Sequence, residues 1–322
     1  MVLGLLGWTL FLAAGVVILV KGADMMVDGG AKTAAYFGVP AIIIGLTLVS
    51  FGTSLPELAS SLNAISKGKH GISVGNVIGS NIANILLVLG VSSIISPISV
   101  DRKIVQREVP IMFGAMSLLI IFSSGLVITR WEGLILLIAF SLFVVFFVYI
   151  AVHSDERVLI RQEIQDEEYM DVTDYDTKRD VGKIVLGIAG IVLGSEMMIR
   201  GGIFYMEEFH LSEGVVGLSI IALATSLPEL AASSMAAYKK ESGISIGNVI
   251  GSNIFNILMV LGICAVVSPL NFTGEIIPNI MIMLAASVIL TVFMYTGHKI
   301  SRREGAAMLA GYFLYLFYLY HF

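Results

Sequence analysis

Long apolar stretches recur from one end of this chain to the other, each near the ~20 residues that cross ~30 Å of hydrocarbon as a helix. Their positions predict ten membrane-spanning helices, near 4–30, 40–66, 72–96, 108–128, 131–153, 183–206, 213–238, 244–268, 276–297 and 302–320. One long polar stretch interrupts the series, from Ser154 to about Gly182. It is rich in Asp and Glu but lacks the ligand spacing and glycine of an EF-hand, so it reads as a solvated linker rather than a calcium loop. The expected fold is an all-α polytopic membrane protein, with a first unit over 1–153, the linker over 154–182 and a second unit over 183–322.

The two units repeat each other. Thr53-Ser54-Leu55-Pro56-Glu57-Leu58 returns letter for letter as Thr225-Ser226-Leu227-Pro228-Glu229-Leu230, an offset of 172. The same offset carries Gly22, Met25, Met26 and Gly29 onto Gly194, Met197, Met198 and Gly201, and Asn84 onto Asn256. Between residues 45 and 98, about thirty of 54 positions match those 172 residues later, far more than shared hydrophobicity produces. Each unit holds five spans, an odd number, so the second must cross the membrane in the opposite sense. Inverted repeats of this kind are a hallmark of secondary transporters, whose sites lie near the midplane between the repeats. Basic residues cluster on the linker side (Arg102, Lys103, Arg107, Lys178, Arg179, Lys239, Lys240, Lys299, Arg302, Arg303), while the other side carries chiefly Lys67, Lys69 and Arg130. The positive-inside rule then places the linker in the cytoplasm and both termini outside a plasma-membrane protein.

Composition agrees with the pattern. The chain is 57% hydrophobic and 13% charged, with a mean hydropathy of +0.92, which excludes an ordinary soluble domain. The net charge of -5 gathers in the linker and points to no nucleic acid or protein partner; the lipid bilayer is the expected surrounding. Cys264, the single cysteine, can make no internal disulfide. The first apolar run has no basic residues before it and belongs to the repeat, so it reads as a helix rather than a signal peptide. Trp8, Trp131, Tyr312, Tyr315, Tyr318 and Tyr320, near span ends, read as interface anchors. No zinc helix, nucleophile elbow or phosphate loop occurs, so no enzyme activity and no cofactor are expected.

The chemistry sits in the repeated motif. Pro56 removes a helical hydrogen bond from the Gly52 carbonyl and opens the helix beside Glu57. Thr53 and Glu57 share a face, with Ser50 and Ser54 next to it, so carbonyl, hydroxyl and carboxylate oxygens gather at the kink. Such oxygens suit hard cations, Ca2+ and Na+ among them, rather than zinc or copper. The next span carries Asn76, Ser80 and Asn84 as one stripe, repeated as Asn248, Ser252 and Asn256. Ser80, Asn84, Ser252 and Asn256 are candidate ligands; Asn76, Asn81, Asn248 and Asn253 read as structural. Intramembrane carboxylates mark ion or proton pathways, which assigns Glu57 and Glu229 to function. Asp24 and Glu196 are also equivalent by repeat, but toward span ends, and read as structurally paired or interfacial.

Together, Gly52–Glu57 with Gly75–Asn81, and Ala224–Glu229 with Gly247–Asn253, resemble the alpha-repeats of the cation/calcium exchanger superfamily, in particular its prokaryotic-type sodium/calcium exchanger branch. The resemblance implies that Glu57 and Glu229 are central calcium ligands. It implies flanking sodium sites at Thr53, Ser54, Ser80, Thr225, Ser226 and Ser252, with backbone carbonyls of Ser50 and Ala222, and Asn84 and Asn256 at central polar positions. Family members typically exchange three Na+ for one Ca2+, an electrogenic cycle. Potassium-dependent relatives have Asp where this chain has Asn256, so the pattern resembles the potassium-independent branch. The expected function is a Na+/Ca2+ antiporter working by alternating access, with H+/Ca2+ exchange as the alternative and a cation channel third. Spans one and six are expected to slide, with Gly22, Gly29, Gly30, Gly194, Gly201 and Gly202 giving close contact to the core.

Overall fold

The computed structural model describes residues 2–153, 176–208, 225–272 and 276–321. Ten helices carry these residues: α1 (Val2–Phe37), α2 (Ala41–Ser66), α3 (His70–Ile95), α4 (Ile104–Ser123), α5 (Arg130–His153), α6 (Thr177–Glu208), α7 (Leu227–Tyr238), α8 (Ser242–Val267), α9 (Ile276–Gly297) and α10 (Arg302–His321). Eight of them are long and apolar enough to cross a membrane. The other two are α7, of which 12 residues are described, and α10, whose tyrosines and Arg302, Arg303 and Glu304 lower its hydropathy. The chain is a polytopic helical membrane protein.

α3 and α8 form the centre. In their most apolar windows 78% and 89% of residues are buried, against 17% for α5 at the periphery. Small residues allow this. A methyl group on Gly247 of α8 would lie 2.5 Å from the Ile42 carbonyl of α2, and one on Gly251 2.6 Å from the Ser50 hydroxyl, so only glycine lets the two backbones meet. The main apolar core spreads from here through Ile78, Ile82, Ile85, Ile250, Ile254 and Phe255 to α4, α5, α9 and α10.

Contacts between the repeats are reciprocal. The two-residue strand β1 (Ile98–Ser99) pairs antiparallel with β4 (Lys299–Ile300), and β2 (Val127–Ile128) pairs with β3 (Leu270–Asn271). An offset of 172 converts either pair into the other.

α1 and α6 lie along each other and stand apart from the main core. They share a second apolar cluster with α7, in which Ala23, Ala31, Ala232 and Ala236 lie among Leu19, Met26, Val27, Ile184 and Ile191, with Val49 of α2 and Ile244 of α8 joining it. The expectation that their glycines face the core is wrong for most of them. Gly22, Gly29, Gly194 and Gly201 face the other helix of the pair. A methyl on Gly22 would lie 2.7 Å from the Gly187 carbonyl oxygen, and one on Gly194 2.5 Å from the Leu19 nitrogen. With Gly15 and Gly187 they form seven-residue series on both helices, which brings the backbones into contact along one line. Gly30 does face the core side, where a methyl would lie 3.4 Å from Ile44.

Two further expectations are corrected. α6 starts at Thr177, inside the stretch read as linker. Asp176 accepts the Arg179 backbone N–H at 2.7 Å, and Asp180 reaches back to the Asp176 N–H at 3.0 Å, so these acidic residues cap a helix rather than extend a loop. Tyr312 and Tyr315 are buried at 3% and 8% exposure, because α10 packs on the end of α3 and turns that face inward. By contrast Trp131 is exposed, and Trp8 stacks on Phe204 across the α1–α6 contact.

The α1–α6 line gives a direct test. Gly22→Ala should destabilise the protein by about 1–3 kcal/mol, since backbone must move to admit the methyl. Gly182→Ala, on α6 with open space around it, should be neutral or slightly stabilising. Thermal unfolding in detergent measures both; equal effects would show that the line is not tightly packed.

Candidate cation site

The site begins at two matching helix breaks. α2 is interrupted at Ser54 (φ -86, ψ 2) and α7 begins after Ser226 (φ -84, ψ 2). Pro56 and Pro228 then fall in the first turn of the following segment, where a missing N–H costs nothing. This places Glu57 and Glu229 in that same first turn, at the positive end of a helix dipole. α3 and α8 change winding at the equivalent places. Each has a π-helical turn, Asn84–Val88 and Asn256–Val260, that starts on the asparagine of the polar stripe. Breaks and π turns both re-aim side chains that a continuous α-helix would direct elsewhere.

Of the twelve residues singled out from the sequence, eleven are described, and all eleven are buried: Ser50, Thr53, Ser54, Glu57, Ser80, Asn84, Thr225, Ser226, Glu229, Ser252 and Asn256. Ala222 lies outside the described residues. The two repeats interlock here. The Thr53 hydroxyl donates to Asn248 Oδ1 at 3.1 Å and lies 3.4 Å from Ser252 Oγ. In the reciprocal contact, Thr225 donates to Asn76 Oδ1 at 3.3 Å and lies 3.4 Å from Ser80 Oγ. Glu229 Oε1 accepts from Ser54 at 3.3 Å and from Ser252 at 3.4 Å.

The two asparagine amides of the site direct their protons outward. Asn84 Nδ2 donates to Asn253 Oδ1 and Asn256 Nδ2 to Asn81 Oδ1, both at 3.1 Å. That leaves Oδ1 of Asn84 and of Asn256 without a hydrogen-bond partner, together with both oxygens of Glu57, Oε2 of Glu229 and Oγ of Ser226. Thr53 and Thr225 likewise give protons to the amides of the opposite repeat. Buried oxygens without donors are costly, roughly 1–3 kcal/mol each and more when charged. A set containing two carboxylates, two amide oxygens and hydroxyls fits a hard cation that replaces its hydration shell with oxygen.

Asn76 and Asn248, read as structural, tie these groups in place. Asn76 Nδ2 donates to Ser61 Oγ at 3.1 Å and to the Glu57 carbonyl at 3.4 Å; Asn248 does the same with Ser233 at 2.9 Å and the Glu229 carbonyl at 3.4 Å. Ser61 and Ser233 were missed from the sequence. Their signal was available: each lies four residues after its glutamate and is identical in both repeats. The Ser50 hydroxyl donates to the Leu46 carbonyl at 2.6 Å, and the Ser50 carbonyl accepts the Ser54 backbone N–H at 3.0 Å. Asp24 and Glu196 are far from this chemistry and form ion pairs with Lys239 and Arg200.

Known proteins show the same arrangement of chain. The family model described as sodium/calcium exchanger protein matches residues 7–149 and 180–321. The putative antiporter CaxA of Alkalimonas amylolytica is 34% identical over 316 residues, covering 97% of this chain and 98% of that protein. The sodium/calcium exchanger MaX1 of Methanosarcina acetivorans is 33% identical over 343 residues, covering 97% and 98%. A solved structure of the sodium-calcium exchanger NCX_Mj superposes with a TM-score of 0.82 at 30% identity, over 98% of both chains. These relatives are transporters rather than enzymes. With both halves matched and the length covered almost end to end, the chain belongs to the sodium/calcium exchanger family, within the cation/calcium exchanger superfamily.

Proposed function

We propose that this chain exchanges three Na+ for one Ca2+ by alternating access, without K+, and moves one net charge per cycle. The observation that carries the reading is the ring of buried oxygens without hydrogen-bond partners, beside which the Asn84 and Asn256 amides donate away from the site. Glu57 and Glu229 bind Ca2+ centrally, helped by the amide oxygens of Asn84 and Asn256. Na+ occupies flanking positions on Thr53, Ser54, Ser80, Thr225, Ser226 and Ser252 and the backbone carbonyls of Ser50 and Ala222. Two carboxylates balance one Ca2+ or two Na+, so a third Na+ leaves the loaded site with one positive charge. Asn256 in place of a third carboxylate supports K+ independence.

In this reading ten helices form two inverted repeats of five, which the reciprocal strand pairs and the reciprocal Thr–Asn bonds support. The positive-inside pattern puts the linker in the cytoplasm and both termini outside the plasma membrane. No cofactor or protein partner takes part. The alternative coupling ion is H+, carried on a glutamate, and the same experiment separates the two.

The test is Ca2+ uptake into Na+-loaded proteoliposomes, with the pH gradient and membrane potential set independently. Uptake should follow the Na+ gradient and respond to the membrane potential. Put concretely, three Na+ leaving for one Ca2+ entering is accelerated by an inside-positive potential. Uptake that follows pH and ignores Na+ would establish the proton reading instead; indifference to potential would remove the three-for-one ratio. Glu57→Gln should bring uptake to background, and a near-normal rate would exclude that residue from the site. Asn253→Leu frees the Asn84 amide to rotate and should weaken apparent Ca2+ affinity about tenfold or more, the usual effect of losing a ligand's orienting partner. An unchanged affinity would mean that Asn253 does not orient the ligand.

A further inference from the structure

The repeats match position by position, yet they do not sit alike against the α1–α6 pair. α1 packs along α7. At the end of α7 the Lys239 ammonium reaches Asp24 of α1, 2.7 Å from Oδ1, and donates to the backbone carbonyl of the same residue at 3.1 Å. An offset of 172 turns this contact into α6 against the second half of α2, and turns Asp24 and Lys239 into Glu196 and Lys67. That contact is not made. α6 barely touches the second half of α2. Glu196 folds back on its own helix to Arg200 at 2.6 Å, and Lys67 is exposed at the end of its half-helix without an ion pair among the described residues. Both charges of the unmade pair are nevertheless present with the same signs.

We propose that Asp24–Lys239 and Glu196–Lys67 are two equivalent, mutually exclusive latches for the exchange reaction, each holding the α1–α6 pair against the core in one facing state. The proposal rests on the alternating-access reading above. The glycine line makes α1 and α6 move as one body, and the ion pair of Lys183 with Asp28 ties them further. On the α7 side their contact is carried by the small side chains of Ala232 and Ala236. A charged pair at the rim then decides where the body rests. If the repeats are inverted, Lys239 and Lys67 stand at opposite membrane faces, so closing one latch opens the other. Both partners of the formed latch are partly exposed, at 27% and 46%. A pair of that kind biases a two-state balance by only about two- to fivefold, enough to favour a state without trapping the carrier.

The unmade pair is the one to test. Glu196→Lys and Lys67→Glu should each slow Ca2+ exchange severalfold in proteoliposomes, and the two together should restore the rate to within about twofold. A combined variant no faster than the slower single one would overturn the latch. Cross-linking supplies a readout independent of rate. The four positions are changed to cysteine in the full chain, Cys264 being buried, and treated with a short bis-maleimide, since side chains of this length sit too far apart for a direct disulfide. Mass spectrometry should find 24–239 links and 67–196 links, each arresting flux, and no molecule carrying both. Failure of the 67–196 link to form, both links in one molecule, or continued flux through linked protein would each refute the proposal. Link exclusivity does not depend on the coupling ion. Exclusive links with Na+-independent flux would therefore sink the sodium reading alone, and non-exclusive links with Na+-driven flux would sink the latch alone.

Discussion

Two carboxylates, Glu57 and Glu229, are enclosed in the helix bundle, and among the described residues neither is paired with a basic side chain. Taking a charge out of water costs several kcal/mol per ion even after relaxation. The protein lowers that cost only partly, by setting each glutamate in the first turn of a half-helix and giving Glu229 two serine donors. In the proposed exchange cycle a bound cation supplies the remainder. A site that neutralised its own glutamates would be more stable and would have no use for Ca2+ or Na+. Helix breaks, π turns and outward-tied amides all follow from keeping the oxygens available while the fold stays closed around them.

The closeness of α3 and α8 to their neighbours serves the same end. Gly247 and Gly251 let α8 lie against the first half of α2, which brings Ser252 within reach of Thr53 and Glu229. A larger residue there would part the helices and separate the oxygens by more than a cation can span. Stability and binding thus draw on one set of contacts. The α1–α6 pair is built differently, with its tightest contacts internal and the small side chains of Ala232 and Ala236 facing it from α7. That division suits a moving part on a fixed one.

Much of this was legible in the sequence because membranes punish polarity. A glutamate beside a proline inside an apolar run is conspicuous, and its repetition at a fixed offset marked both candidate half-sites, whose residues the structure buries together. Where the sequence misled, periodicity gave a face without naming its partner. The seven-residue glycine series on α1 and α6 marks one face of each helix, but nothing in it says that the two faces meet each other. Asp176 and Asp180 look like linker because capping residues share the composition of loops. Tyr312 and Tyr315 look interfacial because an aromatic near a chain end usually is, and only the packing of α10 on α3 buries them. Ser61 and Ser233 escaped because a small hydroxyl four residues from a glutamate is a common accident; its role depends on Asn76 and Asn248 arriving from another helix.

The crossed strands carry a consequence for how the molecule holds together. β1 pairs with β4 and β2 with β3, so each half lends a strand to the other at two separate places. These are the contacts of a self-complementary dimer interface, in which residue i meets j and j meets i, written into a single polypeptide. A substitution at both members of an equivalent pair therefore acts on the interface twice, whereas a single substitution makes the halves unequal. The halves already differ in conformation where their residues agree: Glu229 accepts from Ser54 and Ser252, while Glu57, with Ser226 and Ser80 at the equivalent positions, accepts from neither.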